Sequence, residues 1–255
     1  MTLQRHQEFQ GLVLRTQDYH ENDQLVYLFT DRFGILTFLL RGTKKLTSKK
    51  RALGLIFTTG TYQGTLNDRG FSYLESAQNL HQFAKISQDI TKNAYVTYLN
   101  DLVLRSLTAK RAYPRWFHQI LTATQLIDQG LDPEIITDII AVQLLQPLGV
   151  APQWQHCVLG PETTGKFDFS LVYSGILCQK HWSQDEHRLH LDPKTVTYLR
   201  LFSRLALDRV HSIKVTSATK VQLRQILDLI YRDHVGIYPR SKKFLDSMYK
   251  WQLDS

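Results

Sequence analysis

The spacing of apolar residues changes once along this chain, near Leu80, and this change constrains the fold more than any other feature. Before it, apolar residues fall in short runs rich in Val, Ile, Leu, Phe, Tyr and Thr, a composition typical of β-strands. Polar or glycine-containing breaks between the runs supply turn residues. Five strands are predicted, at Gly11 to Thr16, Gln24 to Thr30, Ile35 to Arg41, Leu53 to Gln63 and Phe71 to Ala77.

After Leu80, apolar residues recur at spacings of three and four, which predicts helices. The third helix begins with Asp132 as N-cap and Pro133 at its first position, and it is apolar on most sides. The predicted helices are Ile86 to Leu107, Pro114 to Gln129, Pro133 to Leu145, Pro193 to Val210, Ala218 to Val235 and Ser241 to Trp251. Between residues 149 and 191, Gly and Pro alternate with short strand-like pieces, which predicts a β-rich insertion.

These patterns predict an α+β protein with two domains. A meander of five short strands favours a small β-barrel, and by analogy with other five-stranded barrels we expect an N-terminal OB-fold domain at residues 1–79. Residues 80–255 are expected to form a mainly α-helical domain that carries the insertion at about residues 149–191.

Composition narrows the class of partner and the compartment. The 255 residues include 31 Lys and Arg against 23 Asp and Glu, and the net charge of +8 favours an anionic partner such as nucleic acid or a membrane surface. Only two cysteines are present, which fits a reducing compartment. The N-terminus lacks the pattern of a signal peptide, and no apolar run is long enough to span a membrane. We therefore expect a cytoplasmic protein with no membrane partner.

The positive charge is concentrated in one window. No Asp or Glu occurs between Arg32 and Asn67, and six cations lie in the segment from Arg41 to Arg51. A cationic loop without acids suits phosphates, because each neutralised phosphate releases condensed counterions, whereas a loop charged only for solubility usually mixes both signs. The predicted phosphate-binding residues of this segment are Arg41, Lys44, Lys45, Lys49, Lys50 and Arg51.

Aromatic side chains on the adjoining strands are candidates for stacking on bases. A small barrel needs large side chains inside, so we expect most of these rings to be core, with Tyr27 and Tyr62 the better candidates because a phenol tolerates exposure. Outside the β-domain, the C-terminal cations Arg240, Lys242 and Lys243 are the second candidates for a DNA path.

Cys157 and Cys178 frame the insertion and suggest a zinc ribbon with an incomplete ligand set. Cys178 is followed three positions later by His181, but Cys157 is followed by Gly160, and structural Zn²⁺ requires four ligands. Substitute ligands would be His156, His187 or His190. The alternative is a metal-free module whose hairpin is held by burial of Phe167, Phe169, Leu171 and Leu177, and this is the expectation we adopt.

Motifs of catalysis are missing: the sequence has no phosphate-binding glycine loop, no helical His-Glu-x-x-His site and no Gly-x-Ser-x-Gly elbow. We expect a protein that is not an enzyme and needs no cofactor. Two alternatives stay open. A basic scaffold protein would dock an acidic protein tail on the same cations, and a nucleic-acid enzyme would need clustered carboxylates for a metal.

One family shares these features. The segment Gly11-Leu-Val-Leu-Arg-Thr, followed by Leu28-Phe29-Thr30, Gly34 and Arg41-Gly42, resembles the start of RecO proteins, a family of recombination mediators in DNA repair. The motif Pro147-Leu148-Gly149 and the residues around Cys157 and Cys178 resemble the zinc-ribbon-like insertion of that family. This chain departs from the family at Gly160 and His181, where ligand cysteines are expected.

The resemblance implies a function that composition alone does not. It implies binding of single-stranded and double-stranded DNA, annealing of complementary strands, and loading of RecA together with RecR and single-strand-binding protein. Arg15 lies in the matched Leu-Arg-Thr segment and Arg41 in the matched Arg-Gly segment, so the resemblance adds Arg15 to the predicted DNA-binding residues.

Overall fold

The computed structural model describes residues 3–45 and 48–253. The first part of the chain is a five-stranded antiparallel sheet with the strand order β3-β2-β1-β4-β5. Its strands are β1 Leu3–Tyr19, β2 Asp23–Thr30, β3 Gly34–Leu40, β4 Thr58–Asn67 and β5 Tyr73–Gln82. The expected five-stranded OB-fold-like sheet is confirmed, but the ladder of strand pairs does not close into a barrel. At the edges of the sheet, Phe38 of β3 forms an isolated bridge with Ser72, the residue before β5.

Alternation along the strands gives the sheet two buried faces. One face encloses its own small core, in which Phe9 stacks on Phe38 with ring centroids 5.8 Å apart. The other face carries Leu12 and Phe29, and both pack against the helices. One face of the sheet is therefore buried because the sheet curves around it, and the other face is buried against the helices.

The predicted strand from Leu53 to Gln63 is wrong in its first half. Residues Lys49–Gly54 form a 3₁₀ helix, and β4 begins only at Thr58. Phe57 interrupts the extended backbone with φ of +58°, and its N–H donates to the carbonyl of Val13 at 3.3 Å. The apolar residues before Thr58 are divided between two cores: Leu53 lies in the core of the sheet, and Phe57 lies in the core shared with the helices.

The helical part begins with α1 Ala84–Gln88, α2 Ile90–Ser106, α3 Pro114–Gln129 and α4 Pro133–Leu144. The single predicted helix from Ile86 to Leu107 is two helices, because the Asp89 side chain accepts the backbone N–H groups of Thr91 and Lys92 and so caps a new start. Helices α3 and α4 have the predicted bounds to within one residue.

The insertion is a short hairpin packed into the helical core. Strands β6 Phe167–Ser170 and β7 Gly175–Cys178 pair antiparallel and are followed by a 3₁₀ helix at Gln179–Gln184. Trp154 stacks on Phe169 with ring centroids 5.1 Å apart, and both side chains are buried. The insertion is thus anchored by aromatic packing at its base.

Three helices complete the chain: α5 Pro193–Phe202, α6 Ser217–Leu229 and α7 Arg240–Leu253. The predicted helix from Pro193 to Val210 ends at Phe202, and only Leu207–Arg209 resumes as one 3₁₀ turn. Helices α5 and α6 pack on α4, and α7 packs on α2. Among the described residues, no helix is both long enough and apolar enough to cross a membrane.

Candidate nucleic-acid interface

The predicted DNA-binding residue Arg15 lies on β1, directly opposite Tyr27 on β2. Its guanidinium lies over the Tyr27 ring, 4.0 Å from the ring centroid, and the Arg15 Nε is buried with no hydrogen-bond partner among the described residues. The Tyr27 hydroxyl donates to Gln17 at 3.4 Å. This stack holds both side chains in one orientation, and Arg15 and Tyr27 are both partly exposed.

The basic segment, residues 41–51, starts at the end of β3 and is tied to the β1–β2 connection. The N–H of Gly42 donates to the Asp23 carboxylate at 2.9 Å, and the N–H of Lys44 donates to the carbonyl of Asn22 at 3.2 Å. Its second half, from Lys49, is the 3₁₀ helix. The segment is therefore not simply the flexible loop expected from its sequence, because hydrogen bonds and helical turns order both of its ends.

Five of the predicted cations in the basic segment are exposed, and four of these form no salt bridge among the described residues: Arg41, Lys45, Lys50 and Arg51. Lys44 differs, because its ammonium pairs with the Asp18 carboxylate at 2.7 Å. The window from Arg32 to Asn67 contains no acid, yet the fold brings one from β1 to Lys44. Of Lys49 only the backbone is described, and Leu46 and Thr47 lie outside the described residues.

Of the two tyrosines predicted as stacking candidates, Tyr62 is wrong. Its side chain is 0% exposed, it stacks on Phe9 inside the sheet core with ring centroids 6.3 Å apart, and burial raises the pKa of its hydroxyl well above the ordinary value. Tyr73, which sequence reasoning missed, is exposed at the start of β5, with the Arg41 guanidinium 5.9 Å from its ring centroid. Alternation with the buried Leu74 was the signal that Tyr73 faces outward.

The loop between α2 and α3 adds a cation to the edge of the sheet. The N–H of Lys110 donates to the carbonyl of Ile35 at 3.0 Å, and Gly34 approaches the Arg111 backbone so closely that any side chain at residue 34 would overlap the Arg111 carbonyl. The Lys110 ammonium donates to the carbonyls of Asn67 and Asp68, whereas Arg111 is exposed. Sequence reasoning missed Arg111 because only tertiary contacts bring the loop between α2 and α3 to the edge of the sheet.

The three C-terminal candidates differ in their exposure to solvent. Lys242 is 5% exposed and its ammonium pairs with Asp228 at 2.8 Å and with Asp246, so it is a buried structural cation. Arg240 and Lys243 have exposed side chains. Lys242 is therefore wrong as a candidate for contacting DNA, because its charge is already satisfied inside the protein.

A second feature lies in the insertion, where Cys157, Glu162, Cys178 and His181 converge. The atoms that these side chains offer as metal ligands all lie within 4.8 Å of one another. The His181 Nδ1 is 3.2 Å from the Cys157 sulfur and 3.3 Å from the Cys178 sulfur. Burial, and then the hydrogen bond with Cys157, raise the pKa of the Cys178 thiol.

The donors in this cluster fit the metal that the family resemblance implies. Two thiols, an imidazole and a carboxylate are all ligands that Zn²⁺ accepts. The Glu162 Oε2 is buried and has no hydrogen-bond partner among the described residues, so a cation would satisfy it. The fourth donor is thus Glu162, and the three histidines considered from the sequence are not members of the cluster.

Comparison with known proteins gives the family of the chain. Residues 3–83 match the family model described as "Recombination protein O N terminal", and residues 87–243 match "Recombination protein O C terminal". The chain belongs to the Recombination protein O family. Together the two matches cover most of the chain, and the function of this RecO family lies in DNA repair and recombination.

Curated relatives support this family assignment over nearly the whole length. The chain is 45% identical over 244 residues to "DNA repair protein RecO" of Levilactobacillus brevis, covering 96% of this chain and 94% of that protein. It is 40% identical over 245 residues to the protein of the same name from Enterococcus faecalis, with 96% and 94% covered. The RecO protein of Leuconostoc mesenteroides is 41% identical over 244 residues, with 95% and 94% covered.

Proposed function

We propose that this chain is a DNA-binding recombination mediator that grips the phosphate backbone of single-stranded DNA with the basic segment, residues 41–51. The observation that carries the proposal is the group of exposed cations on that segment: Arg41, Lys45, Lys50 and Arg51. Hydrogen bonds tie the start of the segment to the β1–β2 connection, so the segment is held beside the sheet.

The physical basis is charge neutralisation with little dependence on base sequence. Each Lys or Arg that meets a phosphate of a single strand releases counterions and adds about 0.7 to the slope of log affinity against log salt. Exposed rings beside the cations add stacking on bases, which contributes roughly 1–3 kcal/mol per base. Tyr27 under Arg15 and Tyr73 beside Arg41 are the rings that support this part of the proposal.

The test is a salt titration of the affinity for a labelled single-stranded oligonucleotide. Replacing Lys45, Lys50 and Arg51 together by Ala should weaken binding and lower the salt slope by about 2, which is three phosphate contacts at about 0.7 each. The matched control replaces three exposed cations of the helical part, Lys194, Arg209 and Lys214, by Ala. Both variants lose the same net charge, so a difference between their affinities or salt slopes would come from a local role of the basic segment.

An equal loss of slope in the two triple variants would mean that the net charge alone attracts DNA, and the segment would then lose its role.

Replacing Tyr73 by Ala should lower the affinity with little change in slope, because stacking releases no counterions. An acidic peptide competing as well as the oligonucleotide, at equal charge and salt, would favour the scaffold alternative.

The wider activity follows from the family. We propose that the chain also binds double-stranded DNA, anneals complementary strands, and acts without catalysis together with RecR, single-strand-binding protein and, indirectly, RecA. Annealing is expected because a sequence-independent grip on phosphates brings two strands together without choosing bases. The triple variant of the basic segment should therefore slow the annealing of complementary oligonucleotides coated with single-strand-binding protein, while the control variant should not.

A further inference from the structure

We infer that the insertion holds a structural Zn²⁺ through Cys157, Glu162, Cys178 and His181, with Glu162 replacing a ligand that the sequence pattern lacks. This inference differs from the metal-free hairpin expected from the sequence, which was based on Gly160 leaving one ligand position empty. The four donor atoms converge within 4.8 Å, close to the separation of about 3.5–4 Å between ligands around a tetrahedral Zn²⁺.

Two of the four donors belong to buried residues, and the other two belong to partly exposed residues. The cysteines are 0% and 4% exposed, and the Glu162 Oε2 is buried without a partner while its other oxygen, Oε1, pairs with Lys180 at 3.2 Å. A buried carboxylate oxygen without a hydrogen bond costs free energy unless something satisfies it. A cation that is bound by the two cysteine sulfurs would also contact this oxygen and satisfy it.

Backbone hydrogen bonds hold the ligands in place before any metal binds. The N–H of Cys178 donates to the Cys157 sulfur at 3.2 Å, which fixes the position of that sulfur beside β7. The N–H of Cys157 donates to the carbonyl of Glu162 at 2.8 Å, and the N–H of Gly160 donates to the carbonyl of Cys157 at 3.2 Å. These bonds fold residues 157–162 into a tight loop that points the Glu162 carboxylate at the cysteines.

The Glu162 carboxylate lies in the space into which a side chain at residue 160 would point. A Cβ atom built on Gly160 would overlap the Glu162 Oε2 and would lie 3.0 Å from the His181 Cε1, so a side chain at residue 160 would point into the cluster. A cysteine side chain at 160 could therefore enter the cluster only if the Glu162 carboxylate moved out of that space. In this chain the space that a side chain at 160 would fill is taken by the carboxylate, which is how the ligand set stays at four.

The experiment loads full-length protein, stripped of metal and reduced, with Co²⁺ and then displaces it with Zn²⁺. The wild type should bind one equivalent of Co²⁺, show the absorption of a tetrahedral site with sulfur ligands, and lose that absorption on addition of one equivalent of Zn²⁺. Glu162→Gln keeps the size of the side chain and should weaken Zn²⁺ binding by about tenfold or more, because even the loss of an outer partner of a ligand costs about 10–100-fold. The matched control is Glu186→Gln, an exposed glutamate of the same module, which should bind as the wild type does.

An exchange of ligands distinguishes coordination from a general effect on folding. Glu162→Ala alone should lose the metal, and adding Gly160→Cys to it should restore one equivalent of Zn²⁺ with a stronger sulfur-to-Co²⁺ absorption, because three thiolates replace two. A wild type that binds no Co²⁺ or Zn²⁺ at one equivalent would overturn the inference. So would Glu162→Gln and Glu162→Ala proteins, folded by circular dichroism, that bind Zn²⁺ as tightly as the wild type.

Discussion

At the scale of single residues, the availability of each cation in the basic segment depends on its nearest acid. Lys44 pairs with Asp18 at 2.7 Å, and the Asp18 side chain is 72% exposed. An exposed ion pair of this kind contributes only about 0–1 kcal/mol to stability. Its larger effect is on binding, because an ammonium that is already paired attracts a phosphate less strongly.

Asp18→Asn is expected to strengthen binding to single-stranded DNA. Removing the carboxylate frees Lys44 for a phosphate, so the salt slope should become steeper by about 0.7 while the free energy of unfolding stays within about 1 kcal/mol of the wild type. The measurement is the same salt titration, and Asp208→Asn, at an exposed site in the helical part, is the control for net charge. If both asparagine variants changed the slope equally, pairing of Lys44 would have no role.

At the scale of elements, α4 is the helix most enclosed by others, and it carries a buried acid. Asp138 is 8% exposed, and its Oδ2 has no hydrogen-bond partner among the described residues. Burial, and then the nearby charge of Glu134, raise the pKa of the Asp138 carboxyl well above its ordinary value. The neutral form of Asp138 is thus favoured in the folded protein and the charged form in the unfolded chain.

Asp138→Asn is expected to stabilise the protein increasingly as the pH rises. Because the pKa of Asp138 is raised in the folded protein, Asp138 contributes its full share of stability below the unfolded pKa of about 4. That contribution is lost as the pH rises through the folded pKa. Asparagine does not titrate, so the free energy of unfolding of the variant should rise relative to that of the wild type by up to about 1.4 kcal/mol per pH unit in that window. Urea unfolding at a series of pH values from about 4 upward measures this, with Asp208→Asn as the exposed control. A difference in stability that does not vary with pH would contradict it.

At the scale of the whole molecule, the sheet and the helices share one buried core. The rings of Phe29 on β2 and Phe117 on α3 meet edge to face, 5.6 Å apart. The Asn100 amide on α2 donates to the carbonyl of Leu14 on β1 at 2.9 Å, and Asn100 is buried. We therefore expect residues 1–79 and 80–255, two domains by sequence pattern, to unfold in one cooperative transition.

Asn100→Ala is expected to lower the free energy of unfolding by about 1–3 kcal/mol, because the buried Leu14 carbonyl loses its donor. Hydrogen exchange at rising urea should show β2 and α2 losing protection together in both proteins, at a lower urea concentration in the variant. Asn93→Ala, on the less buried face of the same helix, is the control. Separate loss of protection in the sheet and the helices would show that the joint core does not couple them.

Much of the fold follows from local signals that the sequence carries on its own. The bounds of α3 and α4 are predictable because Pro133 starts a helix, Asp132 caps it, and Gly130 adopts the left-handed conformation that ends the previous one. Strands β2 and β3 follow from runs of strand-forming residues, whereas β1 begins at Leu3, before the predicted start at Gly11, and β5 ends at Gln82, beyond the predicted end at Ala77. The concentration of positive charge in residues 41–51 is equally local, and it indicates an anionic partner before any coordinates are known.

Only the tertiary structure decided which side chains are free and which are bound to others. It buried Tyr62 and Lys242, paired Lys44 with Asp18, and brought Glu162 to Cys178. Periodicity and charge counts describe neighbours along the chain, whereas burial and pairing depend on segments that meet after folding. A residue such as Glu162, exposed by any local rule, becomes a candidate ligand because backbone hydrogen bonds turn its loop toward two cysteines.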